Sequence, residues 1–177
     1  MTHPRAILSG APESPDADLL VIGYGNPLRR DDGAGPRVAE IIEQLRLPNV
    51  CTLTCHQLAP EHAAPMSRAR RVVFVDAAVN HTDTDRADGV QLRKLEPGAT
   101  TQLLAHAADP RTLLALARDV FGRAPEAWWL TIPARHLGFG TDYSPATESG
   151  IRAAVSEVRR LAVPAVPVAS TGHPDCI

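Results

Sequence analysis

The stretch VIGYGNPLRRDDGAGP, residues 21–36, constrains the fold more than any other part of the chain. It closes an apolar run, residues 18–23, that stops at Gly23. Short unbroken runs of this kind suit a strand buried on both faces of a sheet. A helix is expected from about Gly35, because Pro36 in a first turn loses no hydrogen bond. Val38, Ile41, Ile42 and Leu45 then recur at helical spacing and make one apolar face. A buried strand, a glycine turn and an amphipathic helix are the opening of a parallel α/β sheet. In such sheets ligands bind in the crevice outside the carboxyl ends of the strands. The turn therefore lies where chemistry is expected.

The rest of the chain repeats the pattern. Residues 49–58 alternate like a strand. Residues 60–69 read as a weak helix interrupted by Pro65. Residues 71–78 are the clearest buried strand, with Asp76 near its end, and residues 89–95 suit an edge strand. Asp109-Pro110 is a cap followed by a first-turn proline. It opens a helix bearing Leu113, Leu114, Leu116, Val120 and Phe121, with Gly122 placed to end it. Residues 127–133 form the last core strand, and Ser144-Pro145 starts the final helix. The order β-α-β-(α)-β-β-α-β-α implies a mostly parallel sheet with helices on both faces.

With 177 residues the chain is long enough for one domain with a sizeable core. We expect residues 1–17 to be a disordered leader, 18–162 the domain, and 163–177 a mobile tail rich in proline and small residues. A net charge of −2 without a basic stripe argues against a nucleic-acid partner. No apolar run reaches membrane-spanning length, so no membrane partner is expected. Three cysteines, Cys51, Cys55 and Cys176, make no disulfide framework. Cys51 and Cys55 are expected to be small core residues. A cytoplasmic location follows from these readings.

The glycine turn invites a dinucleotide reading, but Leu28 stands where the third glycine of Gly-x-Gly-x-x-Gly belongs. The second strand also offers no ribose-binding acid. Paired carboxylates before the helix would repel a pyrophosphate, whereas they suit a cation. Asp31 is read as the helix cap, and with Gly23, Gly25 and Asn26 it is assigned to the substrate-binding rim. The backbone of residues 23–26 is a candidate source of N–H donors for a substrate or an oxyanion. Asp32, Asp76 and His106 then fall at one sheet edge. Two carboxylates and an imidazole with open positions suit a borderline divalent ion such as nickel or zinc.

These residues carry a resemblance. Gly23-Tyr24-Gly25-Asn26, followed by Asp31-Asp32-Gly33, resembles the opening motif of the nickel-iron hydrogenase maturation endopeptidases. The strand ending Val75-Asp76, His106 ahead of a leucine-rich helix, and Gly138 to Pro145 ahead of the last helix follow in the same order. The resemblance spans roughly residues 18–162. It implies a three-layer α/β/α sandwich with a five-stranded sheet, one strand antiparallel. It further implies an enzyme that cuts a C-terminal extension from the hydrogenase large-subunit precursor once nickel is in place. Asp32, Asp76 and His106 would contact that nickel and serve catalysis. The metal would come with the substrate, and no tightly bound resident metal is expected. The chain departs from some relatives in having Asp rather than Glu at position 32, and no serine precedes His106. Two other readings stay open: a non-catalytic nickel chaperone or assembly partner, and a nucleotide-binding oxidoreductase.

Overall fold

The computed structural model describes residues 17–79, 89–98 and 109–163. Five strands form one sheet in the order β2-β1-β3-β5-β4. They are β1 (Ala17–Tyr24), β2 (Val50–Cys55), β3 (Ala69–Ala78), β4 (Gln91–Leu95) and β5 (Glu126–Pro133). The first three and β5 run parallel, and β4 pairs antiparallel with β5 at one edge. The helices are α1 (Ala34–Gln44), α2 (Ala63–Ser67), α3 (Pro110–Phe121) and α4 (Pro145–Ala162). This is the expected three-layer sandwich with one antiparallel strand.

Each face of the sheet has its own core, because strand side chains alternate between faces. Leu19, Val21, Val73, Val75, Leu130 and Ile132 pack against Val38 and Ile42 of α1 and Ile151, Ala154 and Val158 of α4. Leu20, Ile22, Val72, Phe74 and Ala127 face Met66 of α2 and Leu113 and Leu114 of α3. Continuous apolar runs in β1 and β3 are thus what a doubly covered parallel strand requires.

The caps form as read. The Asp109 side chain accepts from the Arg111 amide, and Gly122 ends α3 in the left-handed region at φ 73°. Ser144 caps α4 through the Thr147 amide. Pro65 sits within the first turn of the short α2, where its missing N–H costs nothing. The cysteine expectation is corrected for one of the two: Cys51 is exposed, while Cys55 is half-buried and packs against the core that contains Ile22 and Phe74. The reason is topological. β2 pairs with β1 alone, and an edge strand is incompletely covered.

Two glycines let α1 start directly behind the β1 turn. A Cβ on Gly35 would collide with the carbonyl oxygens of Val75 and Tyr24. Gly25 adopts φ 137°, and a Cβ there would strike the Asp32 carbonyl. The clash at Gly35 is with backbone of two core strands, which cannot step aside. Gly35→Ala should therefore cost about 3 kcal/mol or more, the upper end of overpacking effects. Urea denaturation checks this: a midpoint shifted by less than a third of that cost would mean α1 has room to move.

Candidate functional site

The site forms at the carboxyl edge of β1 and β3. After Gly25 the chain makes a 3-10 turn, Arg30–Gly33, that leads into α1. Gly23 lies in the sheet, in register with Thr54 and Val75. The Gly25 N–H donates to the Cys55 carbonyl. The Asn26 N–H donates to Asp32 Oδ2 at 3.0 Å, and Asn26 Oδ1 accepts from the Leu28 N–H at 2.9 Å. The amides of Gly25 and Asn26 are thus engaged inside the chain, so neither is a free donor for an oxyanion. Asn26 instead orients the Asp32 carboxylate.

Asp76 lies on β3 beside Tyr24. The register Gly23↔Val75 makes Tyr24 and Asp76 the next neighbours, on the same sheet face. Asp76 has its pKa raised to about 6. Burial is the largest cause, and the Asp32 charge adds to it. The Tyr24 hydrogen bond and the Ala77 amide work the other way. The Tyr24 hydroxyl is itself pushed far above the tyrosine range, first by burial, then by the Asp76 charge and by their hydrogen bond. The Trp129 indole N–H points toward Tyr24 and favours its anion. That N–H reaches no acceptor at hydrogen-bond geometry among the described residues. A cation beside the half-buried Asp76 would favour its charged form, against the effect of burial.

His106 lies outside the described residues. Asp109, three residues later, caps α3 and contributes to the charge felt by Tyr24. Among the described residues no three of His, Cys, Asp and Glu come together as a metal site. His62 accepts from the Ala59 N–H through Nδ1 at 2.8 Å.

The reading of Asp31 is corrected. It is 0 % exposed and does not cap α1. Its Oδ2 accepts from the amides of Arg135 and His136, both at 2.8 Å, and its Oδ1 from the Ser144 amide at 2.7 Å. Burial opposes its charge, yet the amides of Ser144, Arg135 and His136 outweigh that and hold its pKa at about 2. Asp31 thereby ties the β5–α4 loop to the turn that carries Asp32.

Tyr24 was passed over in the sequence. It occupies the variable position between two glycines, and strand alternation places it opposite Gly23 and Gly25, on the Asp76 face. That alternation was the available signal.

The fold and its edge define a class: an α/β/α sandwich with two carboxylates in the crevice beyond β1 and β3. Solved structures described as hydrogenase maturation proteases share this fold. The [NiFe] hydrogenase maturation protease HybD from Thermococcus kodakarensis superposes with a TM-score of 0.64 at 23% identity, covering 82% of this chain and 99% of that one. The hydrogenase maturating endopeptidase HybD from E. coli gives 0.63 at 21% identity, covering 79% and 88%. The hydrogenase 2 maturation peptidase from a Thaumarchaeota archaeon gives 0.60 at 23%, covering 80% and 95%. No family model matches the chain, and no curated protein matches its sequence.

Proposed function

We propose that this chain is an endopeptidase that removes a C-terminal extension from the nickel-loaded precursor of a nickel-iron hydrogenase large subunit, in the cytoplasm. The observation that carries the reading is the placement of Asp32, in the turn after β1, and Asp76, on the neighbouring β3, at the same carboxyl edge of the sheet. Its support is the fold shared with solved hydrogenase maturation proteases. Among the described residues no helix is long and apolar enough to cross a membrane.

In this proposal Asp32, Asp76 and His106 take the substrate's nickel as ligands. Docking of the metal would hold the adjacent peptide bond in the crevice, where water adds to its carbonyl carbon, the C–N bond breaks, and a proton from that water passes to the leaving amine. An empty precursor offers nothing to grip, so cleavage follows metal insertion. One observation favours a second reading, a non-catalytic assembly partner. The Gly25 and Asn26 amides are already bonded, so neither supplies an oxyanion donor. Cleavage of the precursor, seen as a gel shift, separates the two.

The source of the metal is the test. Two carboxylates and one imidazole without a thiolate hold a free ion weakly compared with a closed structural site. Purified enzyme should contain far less than one equivalent of metal, and chelator treatment followed by its removal should leave activity intact. Nickel-loaded precursor should be cut and nickel-free precursor spared. Stoichiometric resident metal, or equal cleavage of both precursors, would overturn this mechanism.

A further inference from the structure

The turn after β1 and the loop after β5 are built as one piece. Arg29 pairs with Gly140 in an isolated parallel bridge. The Arg30 N–H donates to the Gly140 carbonyl at 2.9 Å, and the Gly140 N–H to the Leu28 carbonyl at 3.0 Å. The Arg29 and Arg30 side chains donate to the carbonyls of Leu137 and Phe139. Asp31 clamps the same loop from beneath. The register 29↔140 makes Leu28 and Phe139 neighbours on one side of the bridge. Leu28 is 61 % exposed and Phe139 89 %. Val79, 47 % exposed, follows Asp76 at the end of β3 on the same edge. Large apolar side chains set out on a braced platform mark an interaction surface more than a flexible tip does.

The charge around this ridge says what covers it. The chain carries a net charge of −2, yet the outer side of the two loops presents Arg29, Arg30 and Arg135 beside Asp142, which already pairs with Arg30 at 3.5 Å, while the half-buried Asp32 is held by the Asn26 N–H. A second copy of this acidic chain would bring the same arginines face to face at a symmetric contact. A polypeptide with an apolar side chain between carboxylates meets both the ridge and its cations.

We propose that the Leu28–Phe139 ridge, bordered by Arg29 and Arg135, is the docking surface for the precursor polypeptide, taking an apolar side chain flanked by acidic residues. This rests on the peptidase reading above, and deepens it: the crevice carboxylates grip the metal, and the ridge grips the chain beside it.

The experiment is steady-state cleavage of nickel-loaded precursor by the wild type and by Phe139→Ala, Leu28→Ala and Arg135→Glu. Both positions of the ridge are solvent-exposed, so thermal midpoints should stay within about 1 °C, as for surface substitutions. Each ridge variant should raise KM by roughly tenfold with kcat within about twofold, the signature of lost ground-state docking. Added salt should raise the wild-type KM and affect Arg135→Glu less. Wild-type KM values in Phe139→Ala and Leu28→Ala would overturn the docking surface while leaving the peptidase standing. A wild-type dimer that Phe139→Ala converts to monomer at unchanged KM would reassign the ridge to a second copy, and overturn it too. A wild type that cuts no precursor would remove the peptidase reading and this inference together.

Discussion

Asp32→Asn is expected to end precursor cleavage while the protein stays folded. The amide oxygen of asparagine can still accept the Asn26 N–H that Asp32 Oδ2 takes at 3.0 Å, so the turn keeps its geometry. The charge is lost, and a neutral amide is a poor ligand for a borderline cation. Cleavage should fall by about three orders of magnitude or more, the scale on which enzymes lose a unit of their machinery. Asp76→Ala and His106→Ala should each do the same, and the double variant should be no worse than either alone. Groups that act on one metal fail as a unit rather than multiplicatively. The measurement is a gel-based processing assay beside a thermal melt of each variant. Full processing by Asp32→Asn would leave Asp32 a structural residue only, and multiplicative losses for Asp76 and His106 would argue against a shared metal.

How much of this could be read in the sequence depends on how far each interaction reaches. The Asp109 and Ser144 caps close within three residues, so their signals lie in a short window. The buried strands β1 and β3 announce themselves by unbroken apolar runs. The place of Asp76 near the carboxyl end of β3 was legible because a charged residue closing a buried apolar run is costly inside the sheet. Asp31 was not legible, because its three donors are backbone amides 104, 105 and 113 residues downstream. Backbone amides leave no trace in residue type, so a local cap looked like the better account. Cys51 failed for a related reason: its alternation fits a core position, but whether a strand is covered depends on its place in the sheet order. The ridge was equally hidden, since Leu28 and Phe139 are brought to the same place only by a single backbone bridge, Arg29 to Gly140, between distant loops.

Asp31 is where the second large effect is expected, this time on stability. Asp31→Ala removes the carboxylate that, among the described residues, accepts from the backbone amides of Arg135, His136 and Ser144. A buried donor left unsatisfied costs about 1–3 kcal/mol. Arg135 and His136 are exposed residues, whereas Ser144 is buried. The variant should therefore lose roughly 3–5 kcal/mol, comparable with breaking a buried charged pair. Asn should rescue little, because its NH2 group must face one of the three donors. The pH dependence has a defined sign. Asp31 has its pKa lowered from 3.8 to about 2 by those amides, against the effect of burial. A carboxyl that gives up its proton more readily in the folded state stabilises the fold once it is charged. Its contribution should be complete above about pH 4, near the unfolded value, and should be lost as pH falls through about 2. Denaturant midpoints measured from pH 6 down to pH 2 test both statements. The wild type should lose stability more steeply below pH 4 than Asp31→Ala, whose curve lacks this carboxyl. Parallel curves, or an alanine variant as stable as wild type at pH 7, would mean that the β5–α4 loop holds its place without the clamp.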